Sequence, residues 1–192
     1  MNTTQEPSKR PRSSRPTGGL HALVACALAS FLTACGGAGG SGAKTGEGEQ
    51  HPLLGAPAPD FALKAQAGKK RVSLEDARGK VTIVDFWATW CEPCRESFPA
   101  YQRILEKYES ELEIIGVSVD DAPDEIPGFA SSTGVKFPLA WDDGQAVADR
   151  YKPPTMPTSY IIDQNQVVRY VHVGFKSGDE KEVEKEVASL LK

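Results

Sequence analysis

Two cysteines carry the clearest chemical signal in the 192-residue sequence, because Cys91 and Cys94 are separated by only two residues. The run Val81 to Phe86 is apolar and β-branched, which is typical of a strand buried on both faces, and a helix is predicted from about Glu92. Cys91 would then lie at a helix start, where unpaired N–H groups and the helix dipole favour a thiolate. Cys94 follows one turn later on the same face, so it can attack a mixed disulfide formed at Cys91. The pair is predicted to cycle between dithiol and disulfide.

The first 35 residues have the composition of an export signal. Four basic groups precede a largely apolar run of fifteen residues, Leu20 to Ala34, which is shorter than the roughly 20 residues of a membrane-spanning helix. The run ends in Leu32-Thr33-Ala34-Cys35, which resembles the bacterial lipobox. Residues 1–35 are therefore predicted to be a lipoprotein signal peptide with lipidation at Cys35, and an ordinary secretory signal is the alternative. Residues 36–52 are glycine-rich and are predicted to form a flexible tether.

Residues 53–192 are predicted to form the folded domain. Outside the first 34 residues, 18 basic and 25 acidic groups remain, a net charge of −7, so the domain has no basic footprint for nucleic acid. Cys26 and Cys35 both belong to the signal segment, which leaves Cys91 and Cys94 as the cysteines of the domain. A disulfide that closes so short a loop stabilises a fold only weakly. The pair is therefore predicted to be reactive rather than structural.

Interleaved strands and helices predict an α/β fold for this domain, with a mixed central β-sheet flanked by helices on both faces. An N-terminal β-hairpin is predicted first, from 61–63 and 71–74. The later predicted strands are 81–86, 113–119, 137–141, 159–163 and 167–173, and the predicted helices include one from 92 and two near 125–133 and 144–151. A final amphipathic helix is predicted to bury Val183, Val187, Leu190 and Leu191.

The segment Phe86-Trp-Ala-Thr-Trp-Cys-Glu-Pro-Cys94 resembles the active site of the thioredoxin superfamily, and in particular of the TlpA/ResA-type membrane-anchored thiol-disulfide oxidoreductases. The opening Gly55-Ala-Pro-Ala-Pro-Asp-Phe61 resembles the same group and the related redoxin and AhpC/TSA families. The resemblance covers about residues 53–190 and includes a helix and strand inserted between 120 and 141. It implies a thioredoxin-like fold and an enzyme that exchanges thiols and disulfides of partner proteins without a cofactor.

The resemblance also implies roles for residues outside the cysteine pair. Asp85 matches the buried acid that takes the proton of the second cysteine, and burial would raise the pKa of its carboxyl toward that of a working base. The alternative is a strand-end aspartate bonded to backbone. Pro157 matches the cis-proline whose loop, with Met156, pairs with the substrate chain opposite the cysteines.

Residues around the cysteines are expected to form the docking surface. Trp90, Glu92 and Pro93 are placed there, although Trp90 has a core position as its alternative. The negative charge of Glu92 opposes a thiolate on the preceding cysteine, which favours donation of electrons over oxidation. TlpA/ResA-type relatives often have a glutamate three residues after the second cysteine, but that position is Ser97 here. Glu96 precedes it by one residue, a turn of about 100° around a helix, and is expected to face solvent.

These observations together predict a lipid-anchored, monomeric protein-disulfide reductase on the extracytoplasmic, periplasmic side of a membrane. The predicted partners are disulfide-bearing exported proteins, with apocytochrome c suggested by the resemblance. A membrane thiol electron donor is expected to return electrons to the oxidised enzyme, because cytosolic thiol pools do not reach that compartment directly.

Two alternatives remain open. A peroxiredoxin-like peroxidase needs a threonine three residues before the reactive cysteine, but Ala88 occupies that position and Thr89 follows it. A metal-binding lipoprotein is the second alternative. Structural zinc normally takes four ligands, and beside the cysteine pair the sequence after the signal segment offers only His51, near the end of the tether, and His172, in a predicted strand.

Overall fold

The computed structural model describes residues 51–192, which contain one seven-stranded β-sheet in the order β2-β1-β5-β4-β3-β6-β7. The strands are β1 (Ala62–Ala67), β2 (Arg71–Ser73), β3 (Val81–Trp87), β4 (Leu112–Ser118), β5 (Leu139–Trp141), β6 (Thr158–Ile162) and β7 (Val168–Val173). The helices are α1 (Glu92–Lys107), α2 (Ile126–Thr133), α3 (Ala148–Tyr151) and α4 (Glu180–Leu190), and short 3₁₀ turns occupy Glu75–Ala77 and Asp143–Gln145. This order confirms the predicted mixed α/β fold with its N-terminal hairpin.

The pairing of the central strand β3 determines which side chains surround the cysteine corner. β3 runs parallel to β4 over seven residue pairs, the last of which places Trp87 opposite Ser118. On its other side β3 pairs antiparallel with β6, and Asp85 lies opposite Ser159. Every residue of β3 is buried, as expected for a strand with helices on both faces.

The two faces of the sheet carry different helices. The Trp87 ring packs on Phe98 of α1 and Phe129 of α2, with centroids 4.9 and 4.4 Å apart. The next residue back, Phe86, packs instead on Tyr151 of α3 at 5.1 Å. Since successive side chains of a strand point to opposite faces, α1 and α2 cover one face and α3 covers the other.

Helix α4 lies beside α1, and the Lys107 ammonium of α1 is bonded to Glu184 of α4. Val183 and Val187 are fully buried, as the periodicity predicted. Leu190 and the following residue, Leu191, are only partly buried because they lie at the end of the helix. Both leucines still pack against the hydrophobic core, so the predicted amphipathic helix is confirmed.

The helix predicted near 144–151 is wrong in extent. The segment forms the 3₁₀ turn Asp143–Gln145 and then only the single turn of α3. Gly144 and Gln145 have φ angles of 70° and 57°, and a right-handed helix requires negative φ. The chain therefore cannot form one continuous helix through this point.

The predicted signal peptide, the predicted tether up to residue 50, and Cys35 lie outside the described residues. Within residues 51–192, none of the helices has both the length and the apolar character that crossing a membrane requires.

Candidate redox-active site

Cys91 and Cys94 form a disulfide at the first turn of α1, with their Cα atoms 5.3 Å apart. Cys91 is the N-cap residue, with extended backbone angles, and its Sγ accepts the backbone N–H of Cys94 at 3.2 Å. Pro93 occupies the first turn of the helix, where a missing N–H costs nothing. The predicted helix start is confirmed, and it places the Cys91 sulfur where backbone N–H groups favour negative charge.

Trp90 and Glu92, the neighbours of Cys91 in sequence, are exposed at the protein surface, whereas Cys91 itself is buried. Trp90 is 71% exposed, so the core alternative for this side chain is wrong. The Glu92 side chain is also exposed and lies 3.9 Å from the Arg95 Nε. Such an exposed pair contributes little to stability, but its charges and the indole ring are available to a docking partner.

The loop before Cys91 is held by a buried aspartate, Asp120, which the sequence pattern alone did not indicate as part of the site. The Asp120 carboxylate accepts the Thr89 backbone N–H at 3.0 and 3.1 Å and the Thr89 hydroxyl at 2.8 Å. It also accepts the Ser118 hydroxyl at 2.6 Å. The Trp141 indole donates to the Asp120 backbone oxygen at 2.7 Å, which links the inserted strand β5 to the same loop. The only sequence signal for this role is that Asp120 follows the predicted strand.

Arg95 closes the loop from the helix side. Its guanidinium lies over the Phe129 ring, 4.7 Å from the centroid, and its Nη2 donates to the Thr89 backbone oxygen at 3.1 Å. The loop is therefore fixed at both the N–H and the carbonyl of Thr89, by Asp120, which follows β4, and by Arg95 of α1.

Asp85 is fully buried on β3 and is incompletely hydrogen-bonded. Its Oδ1 accepts the Ser159 hydroxyl at 2.5 Å, and the Ser159 Oγ lies 2.8 Å from the Tyr101 hydroxyl. Its Oδ2 has no hydrogen-bond partner among the described residues. Burial raises the pKa of Asp85 to about 7, although the bond from Ser159 opposes this shift. The predicted burial and raised pKa of Asp85 agree with the structure. The alternative, a carboxylate hydrogen-bonded to backbone, is not what the structure has.

Asp85 lies on the same side of the sheet as the cysteines. Tyr101 reaches Ser159 from α1, so the hydroxyl pair next to Asp85 lies beneath this helix. Cys94 precedes Tyr101 by seven residues, or about two helical turns, and both are buried on the face of α1 that contacts the sheet. The helix therefore covers Asp85 and carries Cys94 over the same part of β3.

The Met156–Pro157 peptide bond is cis, as the resemblance implied. Pro157 immediately precedes β6, and its backbone oxygen accepts the Gly174 N–H at 2.8 Å. Thr158, the first residue of β6, lies opposite Phe86 of β3. The loop is thus anchored to the strand that leads into the cysteine corner, while Met156 is only partly buried.

The two residues singled out after Cys94 lie on different faces of α1. Glu96 is exposed, as predicted, and Ser97 is fully buried with its hydroxyl donating to the Cys94 backbone oxygen at 3.2 Å. The Ser97 hydroxyl therefore has its hydrogen-bond partner within α1, and this position has no carboxylate.

The two histidines among residues 51–192 have partners away from the cysteines. The His51 Nε2 lies 3.2 Å from both the Lys152 backbone oxygen and the Tyr160 hydroxyl. The His172 Nε2 lies 2.6 Å from Glu186 of α4. Among residues 51–192, no three side chains of the metal-ligating types are grouped to hold an ion.

Comparison with known proteins identifies the family. Residues 54–171 match the AhpC/TSA family. Thioredoxin-like protein YneN of Bacillus subtilis (strain 168) is 37% identical over 131 residues, which cover 67% of this chain and 76% of that protein. Thiol-disulfide oxidoreductase ResA of the same strain is 36% identical over 126 residues, 65% of this chain and 70% of that protein. A structure described as a thiol:disulfide interchange protein DsbE from Chlorobium tepidum superposes with a TM-score of 0.69 at 34% identity, over 72% of this chain and 98% of that one.

The chain belongs to the AhpC/TSA family and has a thioredoxin-like fold. Within that family, the ResA and DsbE relatives identify its enzyme class as thiol-disulfide oxidoreductase, and the disulfide between Cys91 and Cys94 agrees with this class. The resemblance inferred from the sequence is confirmed.

Proposed function

We propose that this protein is an exported, lipid-anchored protein-disulfide reductase whose redox centre is the Cys91–Cys94 pair. The observation that carries the proposal is the disulfide at the first turn of α1, above a buried aspartate of β3. A bond between residues three apart restricts the unfolded chain very little. Its value is therefore chemical, because the pair takes up two electrons when the bond is reduced and donates them when the bond forms again.

Cys91 is the nucleophile in this proposal. In the reduced enzyme its thiolate is stabilised by the Cys94 N–H and by the positive end of the α1 dipole. The thiolate attacks one sulfur of a partner disulfide. A mixed disulfide forms between Cys91 and the partner, and the second partner sulfur leaves as a thiolate.

Cys94 then releases the partner. Its thiol passes a proton to Asp85, and the resulting thiolate attacks the Cys91 sulfur. The Cys91–Cys94 disulfide forms and the remaining partner sulfur leaves as a thiolate, so two electrons have moved from the enzyme dithiol to the partner. The proton on Asp85 passes to one partner thiolate, and solvent protonates the other as the pH requires.

Partner proteins are proposed to dock across the exposed side of the corner. Trp90, Glu92 and Pro93 surround Cys91 there, and 71% exposure of the Trp90 side chain supports a contact role. An extended partner segment is proposed to lie along the loop that contains Met156 and Pro157, whose backbone leads into β6.

The charge of Glu92 favours the proposed direction of electron flow. Its carboxylate adjoins Cys91 and disfavours the thiolate there, which makes the disulfide less oxidising. The proposed clients are disulfide-bearing exported proteins, including apocytochrome c, and a membrane thiol donor is proposed to re-reduce the enzyme. Export and the lipid at Cys35 would place the domain at the extracytoplasmic, periplasmic face of a membrane, as a monomer.

The peroxidase alternative is less well supported. The nearest threonine, Thr89, is buried and its hydroxyl donates to Asp120 at 2.8 Å. The Thr89 hydroxyl is therefore already engaged in a hydrogen bond and is not free to orient a peroxide. Ala88, at the position where the peroxidase needs a threonine, has no hydroxyl. The metal-binding alternative gains no support from the two histidines, which are bonded elsewhere.

Reduction of insulin by the full chain, with dithiothreitol as electron source, tests the proposed reaction. Cys91→Ser is expected to reduce the rate to that of dithiothreitol alone, while Cys35→Ser, the matched cysteine control, retains the full rate. Cys94→Ala is expected to accumulate a mixed disulfide with insulin at Cys91. Full activity of Cys91→Ser would contradict the proposal.

Direction and anchoring are tested separately. A redox titration is expected to give a potential nearer about −270 mV than about −120 mV, and the higher value would reverse the direction. Expression in a bacterial host with labelled palmitate should label the chain, and Cys35→Ser should abolish the label. Retention of the label by that variant would remove Cys35 as the anchor.

A further inference from the structure

The Asp85 carboxylate ends a directional chain of hydroxyl groups. Ser159 carries one hydroxyl hydrogen, and the 2.5 Å contact with Asp85 Oδ1 requires it, because an ionised carboxylate can only accept. The 2.8 Å contact between Tyr101 and Ser159 must then be donated by Tyr101. The chain therefore runs from Tyr101 to Ser159 to Asp85, with each hydroxyl donating toward the carboxylate.

This chain of hydroxyl groups makes the two carboxylate oxygens of Asp85 different. Oδ1 is occupied by Ser159, whereas Oδ2 has no partner among the described residues although it is buried. A hydrogen bond to a carboxylate favours its ionised form and fixes its rotation. An added proton is therefore better placed on Oδ2 than on the oxygen that already accepts a bond.

Building on the proposed function, we propose that Ser159 is a positioning residue for proton transfer, which together with Tyr101 holds Asp85 so that Oδ2 exchanges the proton of Cys94. Ser159 is suited to this role because it lies opposite Asp85 in the antiparallel pairing of β3 and β6. Tyr101 is suited because it is on α1, the helix that carries Cys94, and is 1% exposed. The chain thus ties the proton acceptor to the element that bears the proton donor.

Among the described residues, the other titratable groups beside this hydroxyl chain lie on α1, on β7 and on or just before α4. On α1 they are Cys94 and Tyr101 itself. On β7, His172 lies opposite Ser159 and is bonded to Glu186 of α4, and Asp179 precedes α4. On β4 the residue opposite Asp85 is Gly116, which carries no charge. Because His172 lies opposite Ser159, it is given a control variant of its own.

Burial and the hydrogen bond from Ser159 have opposite effects on the pKa of Asp85. Burial raises the pKa of Asp85, and the bond from Ser159 lowers it. Loss of the Ser159 hydroxyl therefore leaves less of the carboxylate ionised at pH 7. A side chain that only filled space would instead lower the rate equally at every pH.

The test is the pH profile of insulin reduction by the full chain with Cys26→Ser and Cys35→Ser, so that one cysteine pair remains. Ser159→Ala is expected to move the midpoint of the profile to higher pH and to lower the rate at pH 7 about tenfold, less than the loss of about 100-fold for Asp85→Asn. Ser159→Thr, which keeps the hydroxyl, should restore the profile. Tyr101→Phe should move the midpoint in the same direction by a smaller amount.

Two controls separate positioning from general damage. Tyr160→Phe removes a buried hydroxyl that donates to the Tyr151 backbone oxygen at 2.8 Å on the other face of the sheet, and it should leave the midpoint unchanged. His172→Gln should also leave it unchanged. A shifted midpoint in either control, or failure of Ser159→Thr to restore the profile, would overturn the positioning role.

The variant Asp85→Asn separates this inference from the proposed function. If Asp85→Asn abolishes the pH dependence while Ser159→Ala keeps the original midpoint, Asp85 remains the proton acceptor and the role of Ser159 is refuted. If Asp85→Asn keeps the original profile, the proton-transfer step of the proposed function fails as well.

Discussion

Asp85 and Asp120 are two buried aspartates beside the same cysteine corner, and their hydrogen bonds differ sharply. Both oxygens of Asp120 accept bonds, from Thr89 and from Ser118. Asp85 accepts one bond, from Ser159, and its second oxygen has no partner in the described part of the chain. A fully bonded carboxylate fixes the loop before Cys91, whereas a partly bonded one keeps an oxygen available for a proton.

Asp120 and ionised Asp85 make opposite contributions to the stability of the fold. A buried carboxylate with satisfied bonds holds the fold together, since its removal leaves several donors without an acceptor. A buried carboxylate with a raised pKa opposes folding whenever it is ionised. The site therefore keeps one aspartate for structure and retains the other despite its cost.

The largest expected effect is that of Asp85→Asn on pH-dependent stability. The pKa of Asp85 rises from its ordinary 3.8 to about 7 on folding. Protonated Asp85 makes its full contribution to the free energy of unfolding below about pH 4. This contribution is lost as the pH rises through about 7, where the carboxyl of the folded protein ionises. Asp85→Asn is therefore expected to increase the free energy of unfolding at pH 8 by up to about 4 kcal/mol, and much less at pH 4.

Urea denaturation of the oxidised protein between pH 4 and pH 9 measures this effect. Asp163→Asn is the matched control, because Asp163 is also buried yet has a lowered pKa. Burial acts to raise that pKa, but the bonds from Val167 and Arg169 outweigh it. Asp163→Asn should therefore destabilise the protein at pH 8. A loss of stability for Asp85→Asn at pH 8 would contradict the comparison.

Asp120→Ala is expected to be the next largest change. The substitution leaves the Thr89 N–H and the Ser118 hydroxyl without their acceptor, so we expect a loss of about 3 kcal/mol in the free energy of unfolding. Asp121→Ala, at the exposed neighbouring position, should change stability by less than about 0.5 kcal/mol. Equal effects of the two variants in the same denaturation assay would remove the anchoring role.

Thr89→Ala isolates one bond of this anchor. The variant removes the hydroxyl that donates to Asp120 but keeps the backbone N–H bond. We expect a loss of about 1 kcal/mol in stability. Ser131→Ala, which removes an exposed helical hydroxyl bonded to Pro127, should have a smaller effect. If Thr89→Ala costs as much as Asp120→Ala, the hydroxyl rather than the N–H carries the anchor.

Glu92→Gln should give the smallest change. The carboxylate is exposed and adjoins Arg95, so solvent screens its effect on Cys91. A redox titration is expected to shift the potential by about 10 mV in the oxidising direction. Glu96→Gln, an exposed charge one turn later, should not shift it. A larger shift for Glu96→Gln than for Glu92→Gln would contradict the assigned effect of Glu92 on Cys91.

The cysteine corner could be predicted from sequence because its determinants are local. Cys91 and Cys94 lie within one helical turn, and the preceding apolar run fixes Asp85 in a buried strand. The cis bond at Pro157 followed from the resemblance and not from spacing. Local pattern also misled at Gly144, where a left-handed backbone conformation interrupts the predicted helix.

The hydrogen-bond partners could not be predicted because they depend on strand register. Asp120 is 31 residues from Thr89, and Ser159 is 74 residues from Asp85. Ser159 faces Asp85 only because β6 pairs with β3 in one register, and a shift of one residue would turn it to the other face. Nothing in the spacing of these polar residues along the chain indicates that pairing.

The most direct test of the central claim is a ¹³C NMR titration of the Asp85 carboxyl carbon in the oxidised full chain, assigned by its absence in Asp85→Asn. The claim is that this carboxyl is held ready to exchange a proton near neutral pH. It predicts a midpoint of about 7. A midpoint near the ordinary aspartate value of about 4 would contradict it, because the carboxylate would then be too weak a base to take the proton of Cys94.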